Sequence, residues 1–170
     1  MKEPIIPQSM YIFKQPKVGG HVSIHQDNTF VNTKPLSCHA LWFAIEDVTL
    51  ENGCLWVVPK SHKEGIVNRF IRNKEGNGTL FRDADIEEHA PWSNLIEQFD
   101  DVKYKDKWIP LPISKGTVVL IHGNVVHKSD NNRSSNGRGA YTFHMVEKSA
   151  IWSPENWLQR STPFPPLPLL

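Results

Sequence analysis

Apolar and β-branched residues gather in short runs along the chain, at residues 10–13, 21–25, 39–48, 54–58, 117–122 and 140–146. Each run is about the length of a strand and none sustains a helical period, so each predicts a β-strand. Turn signals separate them: Lys17-Val18-Gly19-Gly20, Glu51-Asn52-Gly53, Glu75-Gly76-Asn77-Gly78 and Ser114-Lys115-Gly116. In each the glycines supply the permissive backbone of a tight turn. Many short strands broken by Gly, Asn and Pro predict an all-β fold, a sandwich or jelly roll. Residues 60–107 show no clean period and place Asp83, Asp85, Glu87 and Glu88 near Trp92. They read as a long irregular insertion, a length often used for lids. Gly76 and Gly78 follow no predicted strand and open no helix, which argues against a phosphate-cradling loop. The tail, Pro163-Phe164-Pro165-Pro166-Leu167-Pro168, is expected to run extended over the surface.

Composition narrows the functional classes. The chain has 170 residues, 39% of them hydrophobic, which suits one domain over residues 1–170 with one sizeable core. With 19 basic against 18 acidic residues the formal net charge is +1, and no basic run is dense enough to attract phosphate backbones or acidic lipid. Nucleic acid and membrane are therefore not expected as partners. The sequence shows no apolar stretch of about 20 residues and no signal-peptide pattern, and it ends Pro168-Leu169-Leu170 rather than on a peroxisomal tripeptide. A cytoplasmic location is the expectation. Cys38 and Cys54 are not in a metal or redox spacing and read as buried free thiols.

His25-Gln26-Asp27 places two metal-ligand side chains two residues apart after a strand, so that extended backbone sends both to one face. With 8 His and 8 Asp in the sequence, chance supplies about 0.4 such pairs. The pair alone is therefore weak. Support comes from the apolar run 116–122, which turns at Gly123-Asn124 and reads as a buried hairpin leading to His127. Eleven residues later Arg138 opens another strand. Adjacent antiparallel strands carrying His127 and Arg138 would aim a permanent planar cation at the metal cavity, suited to a dicarboxylate. Two His and one carboxylate leave positions open on an iron, as in non-haem Fe(II) oxygenases, whereas three His would suggest zinc. His62, His122 and His144 read as packing residues, with His122 and His144 as alternative hydrogen-bond partners of the site. Trp42 alone reads as core.

Six segments together resemble the phytanoyl-CoA dioxygenase family over nearly the whole chain. They are residues 8–16, His25-Gln26-Asp27, Leu50-Glu51-Asn52-Gly53-Cys54-Leu55-Trp56, Pro59-Lys60-Ser61-His62, residues 121–129, and Trp152-Ser153-Pro154-Glu155-Asn156-Trp157. The resemblance implies a double-stranded β-helix, the cupin-like jelly roll. It also implies Fe(II) held by His25, Asp27 and His127, with 2-oxoglutarate and O2 as cosubstrates and ascorbate in support. By the same similarity Arg138 and Ser129 hold the distal carboxylate of 2-oxoglutarate, and Met10 and Trp42 make further cosubstrate contacts. The implied reaction hydroxylates a small-molecule substrate and releases succinate and CO2. Family members carry a further N-terminal region with a Lys that contacts the cosubstrate, and this chain is expected to be the catalytic domain without it. Two other readings stay open: a truncated, non-catalytic jelly-roll binding module, and a cupin-like metalloenzyme in which Arg138 is dispensable.

Overall fold

The computed structural model describes residues 1–84 and 101–167. Two four-stranded antiparallel sheets face one another. The first has the order β1, β11, β4, β9, built from Pro4–Lys14, Arg138–Glu147, His39–Ala44 and Val118–His122. The second has the order β2, β10, β5, β8, built from Val22–His25, His127–Ser129, Leu55–Val57 and Ile109–Leu111. Along the chain the main strands alternate between sheets: β1 to β2, β4 to β5, β8 to β9, β9 to β10 and β10 to β11 each cross from one to the other. That alternation is the winding of a double-stranded β-helix, and it confirms the all-β jelly roll expected from the sequence. Two small sheets complete it, β3 (Thr33–Lys34) with β12 (Ile151–Trp152), and β6 (Asn68–Arg72) with β7 (Thr79–Asp83).

Strand alternation sets the core. In β4 the side chains of Ala40, Trp42 and Ala44 are buried between the sheets while their neighbours turn outward. They pack with Cys54, Leu55, Ile121 and Ala140, and Val48 closes the same cluster. Burial of each large side chain here is worth about 1.5–3 kcal/mol. The outer face of the first sheet is apolar as well, with Tyr11, Phe13, Val118, Leu120 and Tyr141 exposed. Both thiols are buried and unpaired, as expected.

The structure refines three expectations. Val118–His122 and His127–Ser129 are not partners in a hairpin: the Gly123-Asn124 turn carries the chain from the first sheet to the second. Gly123 is required there because a Cβ would lie 2.5 Å from the Cys38 carbonyl oxygen and 2.7 Å from Asn28 Nδ2. Residues 60–107 are not wholly irregular, since they hold the β6–β7 hairpin, in which Phe70 pairs with Phe81. The acidic stretch at Asp85, Glu87 and Glu88, together with Trp92, lies outside the described residues. The tail is extended, as expected, but it joins the sheet edge: Ile6 N–H donates to Pro165 O at 2.9 Å and Leu167 N–H to Pro4 O at 2.9 Å. Pro168 lies outside the described residues.

Candidate active site

Strand β2 ends at His25, and extended backbone at Gln26 (φ −124°, ψ 138°) delivers Asp27 to the first position of the short helix α1, Asp27–Phe30. His25 and Asp27 thus leave on one side, as the spacing predicts. Gln26 points the other way and anchors the segment. Its Nε2 donates to the carbonyls of Gly65 and Asn124, each at 2.7 Å, and its Oε1 accepts from Val67 N–H at 2.9 Å. Strand β10 pairs with β2 so that His127 lies directly opposite His25, with ring centroids 4.1 Å apart.

One ligand atom from each of His25, Asp27 and His127 falls within a group no more than 4.8 Å across. The hydrogen bonds of the two rings set their tautomers. His25 Nδ1 lies 2.7 Å from the Ser23 carbonyl oxygen, and His127 Nδ1 lies 2.9 Å from that of Val125. A carbonyl only accepts, so Nδ1 carries the proton in each ring and the Nε2 lone pair is left for a metal. Those Nε2 atoms lie 3.8 Å and 3.6 Å from Asp27 Oδ1. Asp27 Oδ2 is buried with no hydrogen-bond partner. Burial alone would raise the Asp27 carboxyl, but electropositive His127 and a hydrogen bond from His144 outweigh it and hold the group well below the usual carboxylate range. Burial, with His127 beside it, lowers His25 to about 4, so the ring is neutral at physiological pH. Two imidazoles whose Nδ1 bonds turn Nε2 toward the cluster and an ionised carboxylate with an unmatched oxygen are a donor set that fits a divalent cation.

Across the cavity from these residues the first sheet supplies Arg138 at the start of β11. It is 1% exposed, and its Nε and Nη1 atoms are buried without partners. Burial lowers its pKa to about 10, which still leaves the guanidinium charged at neutral pH. Its guanidinium carbon lies over the Trp42 ring, 5.4 Å from the centroid. A buried cation with two unmatched donors fits a carboxylate. Arg138 and His127 therefore stand on facing sheets rather than on adjacent strands, and the convergence foreseen in the sequence is achieved across the sandwich.

All seven candidates from the sequence, Met10, His25, Asp27, Trp42, His127, Ser129 and Arg138, line one cavity of about 680 Å³. Ser129 is buried there, paired in register with Leu55. Met10, on β1, is partly exposed at the rim of the strand pair it makes with Thr142. Sequence reasoning missed most of the apolar wall. Phe30, Phe70 and Phe81 pack ring against ring, with centroids 4.9–6.0 Å apart, and all three line the cavity. His144 also lines it, with Nε2 3.2 Å from Asp27 Oδ1, so the hydrogen-bonding alternative holds for this residue over simple packing. His62 and His122 sit elsewhere, ring to ring, with His39 on the other side of His122.

A double-stranded β-helix with a two-histidine, one-carboxylate cluster and a buried arginine in the same cavity has the fold and donor set of the mononuclear non-haem iron, 2-oxoglutarate-dependent oxygenases. The chain belongs to the phytanoyl-CoA dioxygenase (PhyH) family, whose sequence pattern matches residues 1–140. A phytanoyl-CoA dioxygenase domain-containing protein 1 from Rattus norvegicus is 49% identical over 170 residues, covering 96% of this chain and 53% of the relative. A phytanoyl-CoA dioxygenase from Arabidopsis thaliana is 44% identical over 170 residues, covering 99% of this chain and 54% of the relative. The chain thus spans about half the length of these relatives. Among solved structures, the non-heme alpha ketoglutarate dependent carbocyclase SnoK from nogalamycin biosynthesis aligns over 98% of this chain and 63% of its own, with TM-score 0.68 and 24% identity. EvdO2 from Micromonospora carbonacea var. aurantiaca, complexed with 2-oxoglutarate, aligns over 89% of this chain and 57% of its own, with TM-score 0.58 and 18% identity. At these identities the structural matches establish the fold.

Proposed function

We propose that this chain is the catalytic core of an Fe(II)- and 2-oxoglutarate-dependent oxygenase that hydroxylates a small-molecule substrate. The observation that carries the reading is the pairing, in one cavity, of a cation-ready His25, Asp27, His127 cluster with a buried arginine whose Nε and Nη1 lack partners. Iron(II) and 2-oxoglutarate bound there supply oxidative decarboxylation: one O2 is consumed, succinate and CO2 leave, and the second oxygen atom enters a substrate C–H bond.

The chain's own residues bind, orient and exclude water. His25 and His127 present Nε2 lone pairs whose direction is set by the Nδ1 bonds to Ser23 and Val125. Asp27 would supply the anionic donor of a three-residue set that, on a divalent iron, would not by itself fill the coordination shell. Arg138 receives the distal carboxylate of the cosubstrate, with Ser129 donating beside it and Trp42 and Met10 bounding its flanks. Such a buried pairing is worth about 1.5–3 kcal/mol, enough to select a dicarboxylate over a monocarboxylate. Phe30, Phe70 and Phe81 form a wall with no proton to exchange, so the substrate is oriented by shape and kept dry rather than activated by acid or base.

The test is conversion of 2-oxoglutarate to succinate by this chain with Fe(II) and ascorbate, and its loss in His127→Ala. An anaerobic visible absorption band on mixing Fe(II) and 2-oxoglutarate reports the chelate separately. Absence of both the band and turnover would identify a binding module instead. Oxidation of a substrate by the Fe(II)-loaded chain without 2-oxoglutarate, undiminished in Arg138→Ala, would favour a metalloenzyme that needs no cosubstrate.

A further inference from the structure

Asp27 is approached by three imidazoles, and the closest is not one of its two partners in the cluster. His144 Nε2 lies 3.2 Å from Asp27 Oδ1, against 3.6 Å for His127 and 3.8 Å for His25. His144 is 5% exposed and stands on β11, where strand alternation turns Arg138, Ala140, Thr142 and His144 inward together. The hydrogen bonds set it apart from the other two rings. His25 and His127 each give Nδ1 to a backbone carbonyl two residues earlier, and this frees Nε2 as a lone-pair donor. At His144 Nδ1 is buried and has no partner.

Of the two neutral tautomers of His144, the one protonated at Nδ1 strands a buried N–H and sets the Nε2 and Oδ1 lone pairs against each other. The one protonated at Nε2 leaves only a bare acceptor and makes a hydrogen bond to the carboxylate. An unmatched N–H is the rarer and costlier of the two defects. A carboxylate oxygen has lone pairs enough to accept this bond while still facing a cation. A fourth protein donor, by contrast, would occupy a position that the cosubstrate and oxygen need. We propose that His144 is a positioning residue, whose Nε2–H donates to Asp27 Oδ1 and holds the carboxylate turned toward His25 and His127. Among the described residues it is the one ring at the cluster whose Nδ1 has no carbonyl to direct it. One strand then carries both the arginine that receives the cosubstrate and the histidine that aims the metal-binding carboxylate.

The inference rests on the oxygenase reading, and its test begins with binding rather than turnover. Mn(II) is titrated anaerobically into the wild-type chain, His144→Phe and His144→Gln by calorimetry, and Co(II) is followed by visible absorption. Loss of a hydrogen bond that orients a ligand weakens metal binding by about 10- to 100-fold, and that loss is expected in His144→Phe. The glutamine amide N–H takes nearly the place of the imidazole Nε2, so His144→Gln should recover to within about threefold of wild type. Metal-free melting midpoints of the three proteins should agree within a few degrees. If the phenylalanine variant does not fold, His144→Leu against His144→Gln carries the same comparison. Unchanged affinity in the apolar variant overturns the proposal, as does a glutamine variant as weak as the phenylalanine one. A Co(II) spectrum whose coordination number changes on replacing His144 would make the residue a ligand, which also overturns it. A wild-type chain that binds neither ion refutes the oxygenase reading itself, which is a different result from either variant outcome.

Discussion

Replacing Arg138 with methionine separates a residue kept for a ligand from one kept for the fold. Arg138 is 1% exposed, its Nε and Nη1 are buried without partners, and what favours it in the free protein is the face of Trp42 and the charge of Glu46, which burial outweighs. A buried donor without a partner costs about 1–3 kcal/mol, so two cost about 2–6. A desolvated cation–π contact returns about 2 kcal/mol or somewhat more. In the free protein the guanidinium is thus neutral to destabilising, and an unbranched apolar chain of similar length removes the cost while filling the space. With 2-oxoglutarate bound the balance reverses, because the charge-assisted bonds, about 1.5–3 kcal/mol in all, are lost.

Arg138→Met is therefore expected to weaken 2-oxoglutarate binding by about 10- to 150-fold while leaving the ligand-free melting midpoint unchanged or higher. At roughly 2–4 °C per kcal/mol for a chain of this size, a gain of a few degrees is the scale to look for. The two arms are an anaerobic titration of 2-oxoglutarate into the Mn(II)-loaded protein and a thermal melt without ligands. A ligand-free midpoint lower by 5 °C or more, with cosubstrate affinity intact, would show that the arginine is structural and would refute the reasoning.

Three further outcomes follow from buried groups. Lys14 is held in the fold by Gly20 O and Asp130 O, each 2.6 Å from Nζ, and burial, with Arg138 nearby, lowers its pKa from 10.5 to about 8. The unfolded chain therefore binds the extra proton between pH 8 and 10.5. Stability should rise across that window, by up to about 3 kcal/mol, and urea denaturation at stepped pH should show the rise in wild type and not in Lys14→Met. Asn156, fully buried, accepts from Asn32 N–H at 3.0 Å and donates to Asn32 O at 2.8 Å. Asn156→Ala leaves the Asn32 N–H unmatched and its carbonyl oxygen with Ser153 N–H alone, at 3.2 Å, and should cost about 1–3 kcal/mol, read as a lower urea midpoint at unchanged slope. Gly123→Ala would drive a methyl group into the Cys38 carbonyl at the turn that delivers His127. It should lower Mn(II) affinity at least tenfold, and normal affinity with a normal melt would show that the turn yields without moving the histidine.

The principal strands were legible because apolar and β-branched residues gather in runs of strand length between turn residues, as in His39-Ala40-Leu41-Trp42-Phe43-Ala44, where every second residue is buried. Their facing was not legible, since Leu41 and Phe43 are as apolar as the residues that form the core. The β6–β7 hairpin escaped because Arg69, Arg72, Arg82 and Asp83 interrupt any apolar period. Distant chain holds it: Arg82 forks onto Glu155 at 2.8 and 2.6 Å, and Ile71 bridges to Asn156. Phe70 and Phe81 were lost with the hairpin, and so was the wall of the cavity. Strands of two or three residues, β3, β5, β8, β10 and β12, are too short to carry a period at all, and β5 was legible only within the longer apolar run 54–58.

The site was legible in its chemistry and not in its arrangement, and the reason lies in the winding of the fold. His25, His127 and Ser129 belong to the second sheet, while Met10, Trp42, Arg138 and His144 belong to the first. Spacing along the sequence reports what leaves one strand on one face, which is why His25-Gln26-Asp27 could be read directly. It does not report what faces that strand across a sandwich, and His144 therefore looked like an ordinary packing histidine. The division has a mechanical consequence. If the metal is held mainly from one sheet and the far carboxylate of its cosubstrate from the other, the span between them is the sheet separation. Residues packed between the sheets, Trp42 and Ile121 among them, then set the geometry of cosubstrate binding as well as stability. Ile121→Ala should accordingly weaken 2-oxoglutarate more than it weakens Mn(II), and equal losses in the two anaerobic titrations would show that sheet spacing does not govern the span.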